Sequence, residues 1–286
     1  MAYLSDPKET IAILQKYHFA FQKKFGQNFL IDAHVLDKIV DAAGVTDEDV
    51  VLEIGPGIGT MTQVLCEHAK EVVAVEIDRN LIPILTEDTC REYGNLTVIN
   101  GDILKTDVEE IVREHGGWPL KVVANLPYYI TTPIVMGLLE KHIPVQNITV
   151  MVQREVAERM QAGPGSKEYG ALSLAVQYYA DTYIAAYVPQ NCFMPRPNVG
   201  SAVIRLTLRE KPPVAVKSEA TLFALIRAAF AQRRKMLVNS LEGSTELSCT
   251  KAEVAAALAA AGLPETVRGE ALTLDQFAAI ADCLTA

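Results

Sequence analysis

The chain has 286 residues, 50% of them hydrophobic, and a formal net charge of −9 at pH 7. This length suits one large and one smaller domain, and the acidic balance argues against a protein that coats nucleic acid indiscriminately, so any such binding needs a local basic surface. No run approaches the roughly 18 apolar residues of a membrane span, and no signal peptide is evident. We therefore expect a cytoplasmic protein without a membrane partner. Dispersed cysteines and histidines predict no metal site.

The predicted elements begin with an N-terminal helix, because Pro7 follows two suitable capping residues. From about residue 50 to 208, short β-branched runs alternate with stretches of helical period, which indicates a mostly parallel sheet covered on both faces. The loop at 189–200 is too short and too rich in proline for a crossover helix, so we expect the last strand to be antiparallel. The predicted fold class is α/β with a Rossmann-like sheet.

A linker is predicted at Pro212 and Pro213, because two consecutive prolines neither continue a strand nor allow a helix to start at once. Beyond this point the sequence pattern is helical only. We therefore expect a large α/β domain at 1–210, with its N-terminal helix at 1–24, and a small all-helical domain at 211–286.

A glycine-rich turn follows the first strand of the sheet, where VLEIGPGIGT contains Gly55, Gly57 and Gly59. Its spacing departs from the G-x-G-x-x-G of dinucleotide sites, so it fits a pyrophosphate poorly. Glu76, at the tip of the next strand, is placed to accept both hydroxyls of a ribose, and Asp102, one strand further, suits an adenine amine. Each acid alone is more often a solvated strand end, but together they predict an adenosine pocket without phosphates. The stretches EIGPGIGT, VEID and NGDI also resemble the first three motifs of the S-adenosylmethionine-dependent methyltransferases with a Rossmann-like sheet, called class I.

The sequence NLPY at 125–128 follows the fourth strand, at the crevice where open α/β sheets bind ligands. The side-chain oxygen of Asn125 and the carbonyl of Leu126 or Pro127 would accept the two N–H bonds of an adenine N6 amine and hold its lone pair toward a methyl donor. Tyr128 offers a flat face for the splayed base. The alternative interpretation of these residues is an aromatic turn that only closes a strand.

Several stretches resemble known motifs. Four further stretches resemble the ribosomal RNA adenine N6,N6-dimethyltransferases, specifically the bacterial KsgA (RsmA) type. These stretches are KKFGQNFLID at 23–32, NLPYYITTPI at 125–134, FMPRPNVGSAVIRL at 193–206 and FAQRRKML at 230–237. The resemblance covers the chain from about residue 10 to 280.

The resemblance implies S-adenosyl-L-methionine as the cofactor, and two adjacent adenosines in the 3′-terminal hairpin of 16S ribosomal RNA as the substrate. It implies cofactor contacts from Asn28 and Leu30, and it gives Phe193 the role of stacking on the target adenine. The expected cofactor-binding residues are thus Asn28, Leu30, Gly55, Gly57, Glu76, Asp102 and Asn125. The expected catalytic residues are Asn125, Leu126, Pro127, Tyr128 and Phe193. The chain departs from the family at Phe21, where a basic residue is common, and at Met236, where threonine is common; neither touches the inferred chemistry.

Two basic clusters are the candidate RNA-binding surfaces of this acidic protein. One has Arg227, Arg233, Arg234 and Lys235 with no acid between residues 220 and 240, and the other has Lys16, Lys23 and Lys24. Such clusters bind phosphates, although a solvated helix face is the alternative for either one alone. We therefore expect 1–210 to be the catalytic domain that binds S-adenosylmethionine, and 211–286 to be the RNA-binding domain. The polar stretch at 161–171 is either a loop on the substrate side or a plain connection.

Two other functions remain open from the sequence. The first is methylation of an adenosine in large-subunit ribosomal RNA, and the second is a ribosome-assembly factor in which catalysis is secondary. The intact set of Asn125, Tyr128 and the glycine turn favours an active enzyme. We expect it to act on the small ribosomal subunit or its precursor, as a monomer.

Overall fold

A seven-stranded sheet is the centre of the fold in the computed structural model, which describes residues 3–22, 25–115, 120–141, 143–242 and 244–285. The strands are β2 (Val50–Ile54), β3 (Glu71–Glu76), β4 (Leu96–Asn100), β5 (Leu120–Asn125), β6 (Val145–Gln153), β7 (Ala180–Val188) and β9 (Ser201–Leu208). They lie in the order β4-β3-β2-β5-β6-β9-β7. A separate pair is formed by β1 (Phe29–Leu30) and β8 (Phe193–Met194), which run antiparallel.

The sheet confirms the predicted α/β class. Strands β2 to β6 pair in parallel, whereas β9 runs antiparallel to β6, with Ser201 opposite Gln153. All residues of β2 are buried, as expected for a strand covered on both faces. Because β2 lies between β3 and β5, the strand order reverses beside it, and a crevice for a ligand forms at the carboxyl ends of these strands.

Twelve α-helices are assigned within the described residues. They are α1 (Pro7–Lys16), α2 (Ala33–Ala43), α3 (Thr60–His68), α4 (Ile82–Ile84), α5 (Val108–Glu114), α6 (Thr131–Glu140), α7 (Arg154–Gln161), α8 (Ala171–Tyr179), α9 (Glu219–Ala231), α10 (Leu237–Glu242), α11 (Lys251–Ala260) and α12 (Leu274–Leu284). In this part of the chain, no helix has the length and apolar character needed to span a membrane.

The N-terminal helix is shorter than the expected 1–24. Asp6 caps it by accepting a hydrogen bond from the Lys8 backbone N–H at 2.8 Å. It ends at Lys16, since His18 adopts a left-handed backbone conformation with φ of 46°, which an α-helix cannot continue.

The chain divides into two compact units. The first contains Met1–Ala157 and Thr182–Leu208, and its core lies between the sheet and helices α2 and α3. The second contains Glu158–Asp181 and Arg209–Ala286, and its core is formed by its helices.

The second unit differs from the expected 211–286 because it also takes residues 158–181. Tyr169 and Tyr178 are each 1% exposed and belong to its apolar core. The Tyr169 hydroxyl also donates a hydrogen bond to the Leu272 carbonyl at 2.8 Å. Burial of two large aromatic side chains therefore fixes this segment in the helical unit.

Candidate active site

A cavity opens at the carboxyl ends of β2, β3 and β5. Its walls are the segment 25–30, the tip of β2 with the glycine turn, the tip of β3, and residues 125–128 after β5. Of the expected site residues, the structure brings together Asn28, Leu30, Gly55, Gly57, Glu76, Asn125, Leu126, Pro127 and Tyr128. The sheet topology thus assembles residues that are far apart in the sequence.

The glycine turn presents bare backbone to this cavity. Gly57 has a left-handed φ of 64°, and a Cβ atom there would lie 3.0 Å from the Phe29 ring. At Gly59, the N-cap of α3, a Cβ atom would lie 2.7 Å from Cys90 Sγ. A side chain at either position would therefore displace the wall of the cavity or the residues behind the turn.

Glu76 is held at the tip of β3 by two backbone donors. Its Oε2 accepts a hydrogen bond from the Gly57 N–H at 3.1 Å, and its Oε1 accepts one from the Asp78 N–H at 2.8 Å. Burial outweighs these bonds and raises the pKa of Glu76 to about 7. A carboxyl group fixed in this way on a cavity wall can accept hydrogen bonds from the hydroxyls of a ribose.

Glu53 is an acidic residue of the cavity that the sequence analysis missed. Its side chain is fully buried within β2, and among the described residues neither carboxyl oxygen has a hydrogen-bond partner. Burial raises the pKa of Glu53 to about 8, so the carboxyl group is mostly neutral at pH 7. A buried polar group without a hydrogen bond lowers the stability of the unliganded protein. A polar ligand in the cavity can supply the missing hydrogen bond. The only sequence signal was an acid inside an apolar strand.

The amide of Asn125 has a fixed orientation. Its Nδ2 donates a hydrogen bond to the Asn28 carbonyl at 3.0 Å, and within the described part of the chain Oδ1 has no hydrogen-bond partner. The Pro127 carbonyl accepts from the Ile130 N–H at 3.2 Å. Among the described residues, no hydrogen bond reaches the Leu126 carbonyl, so the backbone favours Leu126 over Pro127 as the second acceptor.

The ring of Tyr128 is anchored through its hydroxyl group, which makes a hydrogen bond of 2.7 Å with Ser201 Oγ. Ser201 is buried at the start of β9. Burial raises the pKa of Tyr128, so the phenol stays neutral at pH 7. The ring therefore keeps one orientation on the cavity wall, and Ser201 is a second residue that the sequence analysis missed.

Two expected site residues lie outside the lining of this cavity in the part of the chain that the structure describes. Asp102 follows β4, and its Oδ1 accepts a hydrogen bond from the Leu104 N–H at 3.1 Å. Phe193 is only 4% exposed and packs in the core, where it pairs with Leu30 between β8 and β1. Their roles toward the adenine of the cofactor and the target adenine remain predictions.

The expected RNA-binding residues differ in their surroundings. Arg233 Nε lies 2.6 Å from Glu270 Oε2, and its Nη atoms donate to the Lys167 and Ser166 carbonyls at 2.5 and 2.9 Å. Arg227 forms an ion pair with Glu246, and Lys16 forms one with Asp88 at 2.5 Å. Arg234 and Lys235 are exposed. Lys23 and Lys24 lie outside the described residues.

The fold and the site together define a Rossmann-like S-adenosylmethionine-dependent methyltransferase: a parallel sheet with an antiparallel last strand, a glycine turn after β2, an acid at the tip of β3 and an Asn-Leu-Pro-Tyr sequence after β5. Residues 18–284 match the model of the family described as Ribosomal RNA adenine dimethylase. The chain belongs to this family.

Relatives cover almost the whole chain. A protein of Lachnoclostridium phytofermentans, named Ribosomal RNA small subunit methyltransferase A, is 68% identical over 99% of this chain and 98% of its own length. A protein of Alkaliphilus oremlandii with the same name is 50% identical over 99% of both chains.

Solved structures of related proteins share the fold. A dimethyladenosine transferase from Plasmodium falciparum is 26% identical, with a TM-score of 0.71 over 88% of this chain and 95% of its own. The 23S rRNA methyltransferase ErmE is 25% identical, with a TM-score of 0.68 over 90% of this chain and 100% of its own.

Proposed function

We propose that this enzyme dimethylates the N6 amines of two adjacent adenosines in the 3′-terminal hairpin of 16S ribosomal RNA. The observation that carries the proposal is the amide of Asn125, fixed by the Asn28 carbonyl in the same cavity as Glu76. The names of the relatives support a small-subunit substrate. The enzyme would act as a monomer in the cytoplasm, on the small subunit or its precursor.

The residues of the cavity fit S-adenosyl-L-methionine, which supplies an electrophilic methyl group when bound. Glu76 would accept hydrogen bonds from the ribose hydroxyls, and Gly55 and Gly57 would let the ligand approach bare backbone. Asn28 and Leu30 would complete the opposite wall. Two features of the structure support this fit: Gly57 has no room for a side chain, and Glu53 keeps an unpartnered carboxyl group next to the cavity.

Orientation of the target amine is the main task of the residues after β5. The adenine N6 nitrogen is a weak nucleophile, because its lone pair is delocalised into the ring. In the first transfer, Asn125 Oδ1 and the Leu126 carbonyl would each accept one N–H bond, which draws the nitrogen toward a tetrahedral geometry. In the second transfer, the one remaining N–H bond would be accepted by one of these two oxygens. Tyr128 would stack on the base. No general base is needed before attack, since the nitrogen becomes more acidic as it gains the methyl group.

The two alternative functions have less support. Identity is 68% to a small-subunit methyltransferase but 25% to the 23S enzyme ErmE, which disfavours a large-subunit substrate. An assembly factor with dispensable catalysis would not require the hydrogen bond that fixes the Asn125 amide.

Mass spectrometry of ribosomal RNA tests the proposal. Small-subunit particles from cells that lack this activity would be incubated with the enzyme and isotope-labelled S-adenosylmethionine. We expect label on two adjacent adenosines of the 3′-terminal hairpin, with two methyl groups on each. Label confined to large-subunit RNA, or no label on the hairpin in any assembly state of the small subunit, would contradict the proposal.

A further inference from the structure

One wall of the cavity is formed by residues that precede the sheet in the sequence. Residues 25–30 line the cavity, and the end of this segment is fixed where β1 pairs with β8. Gly26, Gln27 and Asn28 precede β1 and belong to no strand. Other contacts must therefore hold this part of the wall in place.

Asp78 supplies one of these contacts from the chain that follows β3. It lies two residues beyond Glu76, its side chain is buried, and its Oδ2 accepts a hydrogen bond from Gln27 Nε2 at 2.8 Å. Gln22 Nε2 also donates to Oδ2 at 3.2 Å, and Asn80 Nδ2 donates to Oδ1 at 2.9 Å. Among the described residues, the hydrogen bonds to this buried carboxylate thus come from amides and not from a cation.

The side chain of Gln27 is fixed at both ends. Its Nε2 donates to Asp78, and its Oε1 accepts a hydrogen bond from the Gln22 N–H at 3.0 Å. The next residue is Asn28, whose carbonyl accepts the hydrogen bond from Asn125 Nδ2. Asp78, which follows β3, and Asn125, at the end of β5, are therefore joined through two consecutive residues of the wall.

From these contacts we infer that Asp78 and Gln27 are positioning residues for methyl transfer. A planar amide offers a donor on one side and an acceptor on the other, so a half-turn of the Asn125 side chain would present N–H bonds to the target amine in place of Oδ1. The Asn28 carbonyl prevents this turn, and Asp78 holds that carbonyl in place through Gln27. The inference rests on the proposed role of Asn125.

Single-turnover methylation of small-subunit particles at saturating S-adenosylmethionine provides the test. Gln27→Ala and Asp78→Ala should each lower the rate of methyl transfer by about 10-fold or more, because small displacements of an orienting group are costly. Asp78→Asn keeps one oxygen that can accept from Gln27 Nε2 but turns its NH2 group toward the donors of Asn80, so its loss of rate should be smaller than that of Asp78→Ala. Gln15→Ala, at an exposed position of α1, is the matched control and should leave the rate unchanged.

A double-mutant cycle shows whether Gln27 acts by orienting Asn125 or only by shaping the wall of the cavity. Asn125→Ala should lower the rate strongly, and Gln27→Ala should then have no further effect, because the amide that it orients is absent. Additive losses, or a rate for Gln27→Ala within about 2-fold of wild type, would overturn the inference. An active Asn125→Ala enzyme would instead overturn the proposed chemistry. If Asp78→Ala does not fold, the cycle of Gln27→Ala with Asn125→Ala still tests the positioning role, because Gln27 is only half-buried.

Discussion

Two glutamates of the cavity differ in how the protein satisfies their carboxyl groups. Glu76 accepts two backbone hydrogen bonds, whereas the carboxyl oxygens of Glu53 have no partner among the described residues. Burial raises the pKa of Glu76 to about 7 and that of Glu53 to about 8. Both values lie above those of the unfolded chain, so each group stabilises the fold fully below about pH 4.5, and this stability is lost as the pH rises through the folded-state pKa.

The unliganded protein should therefore become less stable as the pH rises from about 6 to about 8, with Glu53 contributing on the order of 2 kcal/mol to the change. Glu53→Gln has nearly the same shape and cannot ionise, so its thermal unfolding temperature should depend less on pH. Unfolding followed by circular dichroism across this range would measure the difference. Parallel pH profiles for the two proteins would show that Glu53 does not titrate in this way.

The role of Glu76 in cofactor binding can be measured directly. Glu76→Ala removes the expected acceptor for the ribose hydroxyls and should weaken S-adenosylmethionine binding by about 1–3 kcal/mol, the cost of leaving polar partners unpaired. Isothermal titration calorimetry on the folded variant gives the affinity, and thermal unfolding provides the control for folding. Unchanged affinity in a folded variant would exclude this role.

Sequence patterns predicted the candidate site residues that are polar and lie at the tip of a strand. Glu76 and Asn125 are polar residues that end apolar strands, and the sheet brings their tips together. Glu53, inside β2, and Ser201, the first residue of β9, were missed because each is distinguished only by its three-dimensional surroundings. Phe193 was assigned from a resemblance, and its burial depends on packing that no local pattern reports.

At the scale of elements, the hydrogen bond between Tyr128 and Ser201 ties the turn after β5 to the start of β9. Ser201→Ala should lower the methylation rate several-fold through a freer Tyr128 ring, in line with the roughly 0.5–1.5 kcal/mol of one hydrogen bond. Tyr128→Phe should cause a similar loss, and the double variant should lose no more than either single one. Ser201→Thr keeps the hydroxyl group and serves as the control. Losses that add in the double variant would show that the two side chains act independently.

The strands of the sheet were predictable because β-branched apolar runs are local features, and the antiparallel course of β9 followed from the short loop before it. The end of α1 could not be predicted in this way, because His18 ends the helix where the sequence has neither glycine nor proline. The assignment of 158–181 to the helical unit was also missed. It depends on where Tyr169 and Tyr178 are buried, and this is decided by residues far away in the sequence.

At the scale of the whole molecule, a count of charges overstates the cations that are available to RNA. The sequence carries 26 Lys and Arg residues against 35 Asp and Glu residues. Arg233 pairs with Glu270, Arg227 with Glu246, and Lys121 with Asp49 inside the first unit. These partners are distant in sequence, so only the folded chain shows which basic residues are engaged with the protein itself.

The basic segment after α9 therefore contains residues with different expected roles. Arg233 holds the Ser166 and Lys167 carbonyls of the 161–171 stretch, whereas Arg234 and Lys235 are exposed. If Arg234 and Lys235 bind RNA phosphates, replacing both with Gln should reduce the slope of log affinity against log salt by roughly 1.4 to 1.8 units, through the loss of two counterion-releasing contacts. Binding to small-subunit particles and to the isolated hairpin would be measured over a range of salt concentrations.

Arg233→Gln is the matched variant for this measurement. It leaves Glu270 without its cation and two carbonyls without a donor, so it should lower the thermal unfolding temperature. Its salt slope should stay close to that of wild type, because the guanidinium group is already engaged with the protein. Cofactor affinity should be unchanged in both variants, since these residues lie outside the lining of the cavity. An unchanged slope for the Arg234 and Lys235 double variant on both RNA substrates would exclude this segment as a phosphate-binding surface. A reduced slope for Arg233→Gln would show that the ion pair of Arg233 with Glu270 breaks when RNA binds.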